Sequence, residues 1–150
     1  MEALVKPVVS VSDATVDRYL AAILMLSRRT PSVRSVDMAA FLGCSKACVS
    51  VTIKQMQREA LLIRDGRGPL ALSEAGKRRA IPYLERFEYF YGLLVGLGVD
   101  RECAKNEGFA MATAVSARSF EILRARLDND LTKVRSNLPP NGKEGGKCDT

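Results

Sequence analysis

Basic side chains are concentrated between residues 46 and 67, and the chemistry they offer is the neutralisation of phosphate groups. They are Lys46, Lys54, Arg58, Arg64 and Arg67. Such a cluster supplies the salt-dependent part of binding to a nucleic-acid backbone. The net charge of +6 is compatible with a polyanionic partner, although many proteins without one are equally basic. The placement of these charges therefore matters more than their number.

Residue types needed for catalysis or metal binding are scarce. The chain has no histidine, which removes the commonest general base and the commonest transition-metal ligand. Its four cysteines form no CxxC pair of a structural zinc site, and we interpret them as reduced thiols. Gly66 and Gly68 lie in a predicted hairpin tip and not in a phosphate-binding loop. The composition predicts that the protein is not an enzyme and holds neither a cofactor nor a metal ion.

The elements that position the basic cluster are two short helices. Residues 35–42 predict one helix, which Ser35 can cap and Gly43 ends. A second helix begins at the cap candidate Ser45 and repeats apolar residues at the period of one buried face. The opposite face and its flanks are the predicted DNA contacts: Ser45, Lys46, Ala47, Cys48, Ser50, Val51, Lys54, Gln55 and Arg58.

A short hairpin follows this second helix. Apolar residues 61–63 and 70–72 flank a turn-rich tip at 65–69, and Arg64 and Arg67 add two cations. A helix-turn-helix followed by a basic hairpin is a DNA-binding arrangement, in which the hairpin is a wing. Residues 35–73 are therefore predicted to be the functional part of the chain.

The rest of the sequence predicts further helices, an N-terminal arm and a disordered C-terminal tail. A first helix runs from Ser12 or Asp13 to about Arg29, and a long helix starts at Ser73, with Pro82 expected to kink or interrupt it. Two further helices follow Asp100 and Ser116. The fold class is mainly α, and the predicted organisation is an N-terminal arm (1–11), a winged-helix DNA-binding domain (12–73), a helical dimerisation domain (74–136) and a disordered tail (137–150).

The predicted contact face of the second helix is unusual for base recognition. Ala47, Cys48 and Val51 can touch thymine methyl groups but cannot make bidentate base contacts, so we expect limited direct readout. Ser50 and Gln55 are the predicted polar contributors. Cys48 lies near a helix N-terminus, where a thiolate is stabilised, so its oxidation could switch DNA binding; alternatively, it is only a small residue that fills its place.

Several segments together resemble the diphtheria toxin repressor and manganese transport regulator family. They are residues 17–26 (DRYLAAILML), 36–45 (VDMAAFLGCS), 73–77 (SEAGK) and 97–100 (LGVD). The resemblance extends from about residue 17 to 127, and the architecture is similar to the short, two-domain manganese-type branch. It implies a homodimeric winged-helix repressor in which a bound divalent metal ion fixes the spacing of two DNA-binding heads.

The positions that this resemblance assigns to metal ligands carry other residue types. Arg18 and Ala21 stand where the first-helix acids are expected, and Phe87 stands for the histidine of the long helix. The remaining substituted positions are Tyr91, Phe109, Ala112 and Thr113. Carboxylate and imidazole ligands suit manganese and iron, whereas these side chains do not. The space is predicted to be a packed core, an apolar pocket for an organic effector anchored by Arg18, or a residual metal site.

The sequence therefore predicts a homodimeric regulator, a repressor of a pseudo-palindromic operator in double-stranded DNA, without a metal switch. The absence of an 18-residue apolar run and of a leader predicts a cytoplasmic location and no membrane contact. One rival is a winged-helix protein-interaction module that binds no DNA. Another is a regulator switched by an organic ligand or by cysteine oxidation.

Overall fold

The structure is a computed structural model that describes residues 10–135, with the backbone alone described for 131–135. Within that range the elements are α1 (Asp13–Ser27), α2 (Ser35–Leu42), α3 (Lys46–Arg58), β1 (Leu62–Ile63), β2 (Ala71–Leu72), α4 (Glu74–Gly96), α5 (Arg101–Ala114) and α6 (Ala117–Arg135). The predicted fold class, mainly α with a winged helix-turn-helix followed by helices, is confirmed. The tail predicted at 137–150, and all but the last two residues of the predicted arm, lie outside the described residues.

The chain divides into two compact units, Met1–Ile81 and Pro82–Thr150. This division falls inside α4, whereas the sequence placed a domain boundary between residues 73 and 74. The first turns of α4 belong to the first unit because they pack tightly there. Gly76 lies so close to the backbone carbonyl of Leu61 that a Cβ at this position would overlap it.

Apolar faces of α1, α2 and α3 form the core of the first unit. Ser12 caps α1 by accepting a hydrogen bond from the Thr15 backbone N–H at 3.3 Å. The helices bury side chains at helical spacing, and burial of this apolar surface is the main stabilising contribution. The fully buried members include Val16, Leu20, Met38, Val49 and Met56.

The turn between α2 and α3 is formed by local capping interactions. Gly43 adopts the left-handed conformation with φ of 64°, which ends α2. Ser45 then caps α3, because its Oγ accepts a hydrogen bond from the Cys48 backbone N–H at 3.2 Å. At the start of α2 the prediction differs: Ser35 is the first helical residue, and the Asp37 carboxylate accepts from the Arg34 backbone N–H at 2.8 Å.

The wing is a minimal antiparallel hairpin. Leu62 pairs with Leu72 and Ile63 with Ala71, and the tip turns where the Gly68 N–H donates to the Asp65 carbonyl at 2.8 Å. Leu62 and Leu72 are buried, whereas Ile63 and Ala71 are exposed. This alternation anchors one face of the hairpin on the core and leaves the other face in solvent.

The second unit contains the rest of α4 together with α5 and α6. Helix α4 continues through Pro82, so the backbone is not interrupted there, and the alternative prediction of a kink at Pro82 stays a prediction. Asp100 caps α5, and Ser116 accepts a hydrogen bond from the Ser119 N–H at the start of α6. The interpretation of all cysteines as reduced thiols is wrong for Cys103, which is disulfide-bonded, whereas Cys44 and Cys48 are free.

Within residues 10–135 no single helix has the length and hydrophobicity needed to cross a membrane, although α2 and α3 taken together, bent by 117° at their break, meet that test by length and composition.

Candidate nucleic-acid interface

Helix α3 presents a positively charged face to solvent. Lys46, Lys54 and Arg58 are all exposed, and the helix sequence contains no acidic residue. Of the nine predicted contacts on this helix and its cap, seven are exposed: Ser45, Lys46, Ala47, Cys48, Ser50, Lys54 and Arg58. Val51 is half-buried. The face therefore combines three cations with small side chains, which leaves room for a close approach of a polyanion.

Three acidic side chains of the first unit form ion pairs with a single arginine. The guanidinium of Arg79, on the first turns of α4, contacts carboxylate oxygens of Asp17 at 2.5 Å, Asp13 at 2.9 Å and Glu59 at 3.3 Å. Burial alone lowers the pKa of Arg79, but its bonds to Asp17 and Asp13 outweigh burial and raise the pKa above its ordinary value. Among the described residues no ion pair engages Lys46, Lys54 or Arg58.

The prediction that Gln55 contacts DNA is not supported by its position in the structure. Its side chain is buried, whereas the helical period placed it on the outer face. The side-chain Oε1 accepts from the Val11 backbone N–H at 2.7 Å, and Nε2 donates to the Val11 carbonyl at 3.0 Å and to Glu59 at 2.9 Å. The segment before α1 thus covers this side of α3. Gln55 holds that segment in place and is not available to a base edge.

Cys44 and Cys48 lie on either side of the Ser45 cap and differ in environment. Cys48 is exposed on α3, whereas Cys44 is half-buried with its Sγ 3.2 Å from the Tyr19 hydroxyl. Burial of Tyr19, with a further contribution from Cys44, raises the pKa of the phenol well above its ordinary value. The phenol is therefore neutral at physiological pH. Whether Cys48 responds to oxidants stays a hypothesis.

The two wing arginines have different environments. Arg67 is exposed at the tip. Arg64 is half-buried, and its Nε donates to the Gly68 carbonyl at 3.0 Å. Arg64 therefore braces the tip of the wing, and Arg67 is the side chain that the wing offers to a partner.

The substituted metal positions are divided between the two units. Arg18 and Ala21 lie on α1 in the first unit, where Ala21 is fully buried. The other five lie in the second unit. There Phe87 stacks on Phe109 with a centroid distance of 4.1 Å and on Tyr91 at 5.6 Å. A Cβ at Gly108 would lie 3.3 Å from the Phe87 ring, so the small residue lets the ring pack against α5.

A hydrogen-bond network completes this cluster. The Tyr83 hydroxyl donates to the Phe109 carbonyl at 3.0 Å and lies 3.0 Å from Thr113 Oγ1. The Ala112 carbonyl accepts from Arg86 Nε at 3.0 Å. Phe87, Phe109 and Ala112 are all buried. These contacts favour the packed-core interpretation for the five positions in the second unit.

Comparison with known proteins finds transcriptional regulators that are similar to this chain. No protein-family model matches the chain. The curated proteins named Transcriptional regulator MntR from Escherichia coli O6:H1 and O157:H7 are each 29% identical over 109 residues, which is 73% of this chain and 70% of theirs. A solved manganese-dependent transcriptional repressor in complex with manganese is 25% identical with a TM-score of 0.62, over 78% of this chain and 52% of that one. These relatives confirm the resemblance of the chain to the diphtheria toxin repressor and manganese transport regulator family.

Other solved structures share the fold of this family. The manganese regulator SloR is 23% identical with a TM-score of 0.62, over 78% of this chain and 53% of its own. The structure of T. acidophilum IdeR is 18% identical with a TM-score of 0.63, over 79% of this chain and 55% of its own. This chain spans about half the length of these structures.

The side chains at the family's metal positions do not fit a divalent cation. An arginine, two alanines, three aromatic residues and a threonine stand at these positions, whereas carboxylate and imidazole donors suit manganese and iron. In the second unit, the rings of Phe87 and Phe109 stack on each other. Among the described residues no group of three or more Asp, Glu, Cys or His side chains is arranged to hold a metal ion.

Two features near the interface were missed by sequence reasoning. Val11 and Gln55 are 44 residues apart, and Arg79 bonds Asp17 across 62 residues. Neither pairing leaves a local pattern.

Proposed function

We propose that this protein is a DNA-binding transcriptional regulator that acts as a homodimeric repressor on a pseudo-palindromic operator and is not switched by a metal ion. The observation that carries the proposal is the exposed face of α3, with three cations and no acid, beside an exposed wing arginine. The resemblance to a family with proteins named transcriptional regulators adds support. The cytoplasmic location stays a prediction.

The mechanism follows from the chemistry of that face. Helix α3 enters the major groove, and Lys46, Lys54 and Arg58 neutralise phosphates along its edges. Ser50 donates or accepts a hydrogen bond at a base edge, while Ala47 and Val51 contact thymine methyl groups. Arg67 binds a phosphate or the adjacent minor groove. Repression is steric, because two bound heads cover the operator.

A salt titration of DNA binding tests this proposal. Replacing Lys54 and Arg67 together by alanine removes two phosphate contacts, so the slope of log affinity against log salt concentration falls by about 1.8. Lys77→Ala is the matched control, because Lys77 already pairs with Glu74 at 3.0 Å on α4. No binding even at low salt, or no loss in the double variant, supports a protein-interaction module and contradicts a regulator.

Self-association is supported by apolar side chains exposed in the second unit. Leu97 and Ile122 are 61% and 56% exposed, and Leu123 is 37% exposed. Burying such side chains against a second copy stabilises a dimer. Light scattering of the wild type is expected to give a dimer and Ile122→Asp a monomer. Ile63→Asp, on the exposed face of the wing, is the control that stays dimeric; a monomeric wild type contradicts the proposal.

Metal independence is tested by thermal unfolding and DNA affinity measured with manganese, iron, zinc or a chelator. Because the donor types are absent from the family's positions, neither quantity is expected to change beyond the effect of ionic strength. A large, saturable response to one cation contradicts this part of the proposal and leaves DNA binding untouched.

A further inference from the structure

A pocket of about 460 Å³ lies in the first unit between α1, the start of α3 and the segment before α1. Its walls include Val11, Arg18, Tyr19, Ala47, Cys48 and Val51. Pockets that bind small organic molecules have volumes of roughly 300–1,000 Å³ and are lined mainly by apolar side chains. By size and lining, this pocket belongs to that class.

The charge of the lining limits the chemistry of an occupant. Arg18 is the charged residue of the wall, and no acidic side chain is among the described residues that line the pocket. Arg18 already has a partner within the protein. A guanidinium carries five N–H donors, so it can bind an occupant in addition to its interaction within the protein. The complementary occupant has an apolar body and one anionic group that accepts hydrogen bonds from Arg18.

The pocket shares residues with the proposed DNA-contacting face. Ala47, Cys48 and Val51 both line the pocket and belong to the predicted contacts on α3. Larger or charged side chains at these positions would fill the pocket. The small residues that limit hydrogen bonding to bases therefore also make room for a ligand, and an occupant of the pocket lies against the surface that meets DNA.

We propose that this pocket binds an apolar organic anion, such as a carboxylate or sulfonate with a hydrophobic body, and that this ligand weakens DNA binding through α3. The binding half of the proposal stands on the pocket alone, whereas the regulatory half rests on the proposed function. The pocket differs from the one predicted around Phe87 and Phe109, because its described walls come from the first unit.

Fluorescence titration of the full chain with 1-anilinonaphthalene-8-sulfonate tests the binding half, with N-phenyl-1-naphthylamine as the probe that lacks the sulfonate. We expect saturation near one sulfonate probe per chain. Arg18→Gln should weaken the sulfonate probe about tenfold and leave the neutral probe unchanged. Arg58→Gln, an exposed α3 arginine outside the pocket lining, is the matched control and should change neither.

A second pair of variants tests the location. Ala47→Leu fills the pocket and should abolish binding of both probes, whereas Ser50→Leu places the same side chain on α3 outside the lining and should not. Both positions are exposed, so both variants should fold as the wild type does by circular dichroism. No probe fluorescence in the wild type, equal losses in Arg18→Gln and Arg58→Gln, or full binding by Ala47→Leu overturns the pocket.

The regulatory half is measured with a random-sequence duplex at low salt. The sulfonate probe, at a concentration that just saturates the wild type, should weaken duplex binding at least tenfold in the wild type and much less in Arg18→Gln, because Arg18 lines the pocket and is not a predicted DNA contact. Equal duplex affinity with and without the probe overturns regulation but not binding. If the duplex does not bind at all without the probe, the proposed function fails, and the fluorescence titrations still decide the pocket.

Discussion

Gln55 could act either in the structure of the first unit or in base recognition, and replacing it by leucine distinguishes these two roles. The amide makes three hydrogen bonds, two to the Val11 backbone and one to Glu59. Leucine keeps a buried apolar volume but leaves the Val11 N–H and C=O without this partner. Gln55 is thus predicted to act through stability and not through DNA sequence preference.

The magnitude follows from the environment of these bonds. Each hydrogen bond contributes about 0.5–1.5 kcal/mol net, and a bond to a charged group contributes more. Val11 is only half-buried, so water replaces part of the lost bonding. We expect Gln55→Leu to lower the free energy of unfolding by about 2 kcal/mol. For a chain of this size, that corresponds to a fall in Tm of about 4–8 °C.

The matched control for this experiment is Gln57→Leu, the same substitution at an exposed position on the same helix. Urea unfolding of both variants gives the two free energies, and binding to a panel of duplexes below the unfolding transition gives base preference. Gln55→Leu should lose stability and keep its preference. Equal stability of the two variants, or an altered base preference in folded Gln55→Leu, would refute the structural role.

Three further predictions concern packing, ion pairing and pH. Gly76→Ala should lower the free energy of unfolding by about 1–3 kcal/mol, because the new Cβ overlaps a backbone carbonyl, whereas Gly92→Ala, with open space in α4, should not be destabilised. Arg79→Met should lower the free energy of unfolding by about 1–2 kcal/mol, a limited loss because the carboxylate partners of Arg79 are partly exposed. Arg78→Met, at the exposed neighbouring position, should lower it much less. The pKa of Tyr19 in the folded protein is raised above its ordinary value of 10.0. Above pH 10 the unfolded chain loses this proton first, so the contribution of Tyr19 to the free energy of unfolding is present below pH 10 and is lost above it at up to about 1.4 kcal/mol per pH unit. When the free energy of unfolding is measured by chemical unfolding over a pH series, Tyr19→Phe should reduce its slope above pH 10. An unchanged slope contradicts the role given to Tyr19.

Local chemistry explains why most of the first unit could be predicted from sequence. Ser12, Gly43 and Ser45 act through bonds and dihedral angles within a few residues, so their types alone indicate helix ends. The buried positions of α3 follow from the helical period, and Val49, Ile53 and Met56 are buried as expected. The start of α2 was missed because Asp37 caps it from inside the helix.

Pairings between distant residues explain what could not be predicted. The helical period places Gln55 outside, but it carries no information about the segment at Val11 that covers it. The ion pairs of Arg79 bring together residues of α1 and α4, and any surface arginine has the same local sequence signal. The pocket beside α3 depends on the same covering segment, so its existence could not be inferred from the types of its lining residues.

Under the proposed function, the small residues on α3 limit how this protein can select a DNA sequence. Ala47, Cys48 and Val51 offer no strong hydrogen-bond donor or acceptor, and burial of Gln55 removes one predicted polar contact. Discrimination by bidentate contacts, about 1–3 kcal/mol for each base, is therefore unavailable at these positions. Under the proposed function we therefore expect sequence preference to come mainly from DNA shape and deformability, read by the phosphate contacts and by Arg67, with Ser50 as the remaining polar contact on α3. A DNA-binding head with weak direct readout depends strongly on charge and shape complementarity, and a ligand bound against Ala47, Cys48 and Val51 would disturb both the fit to DNA and the apolar base contacts of these residues.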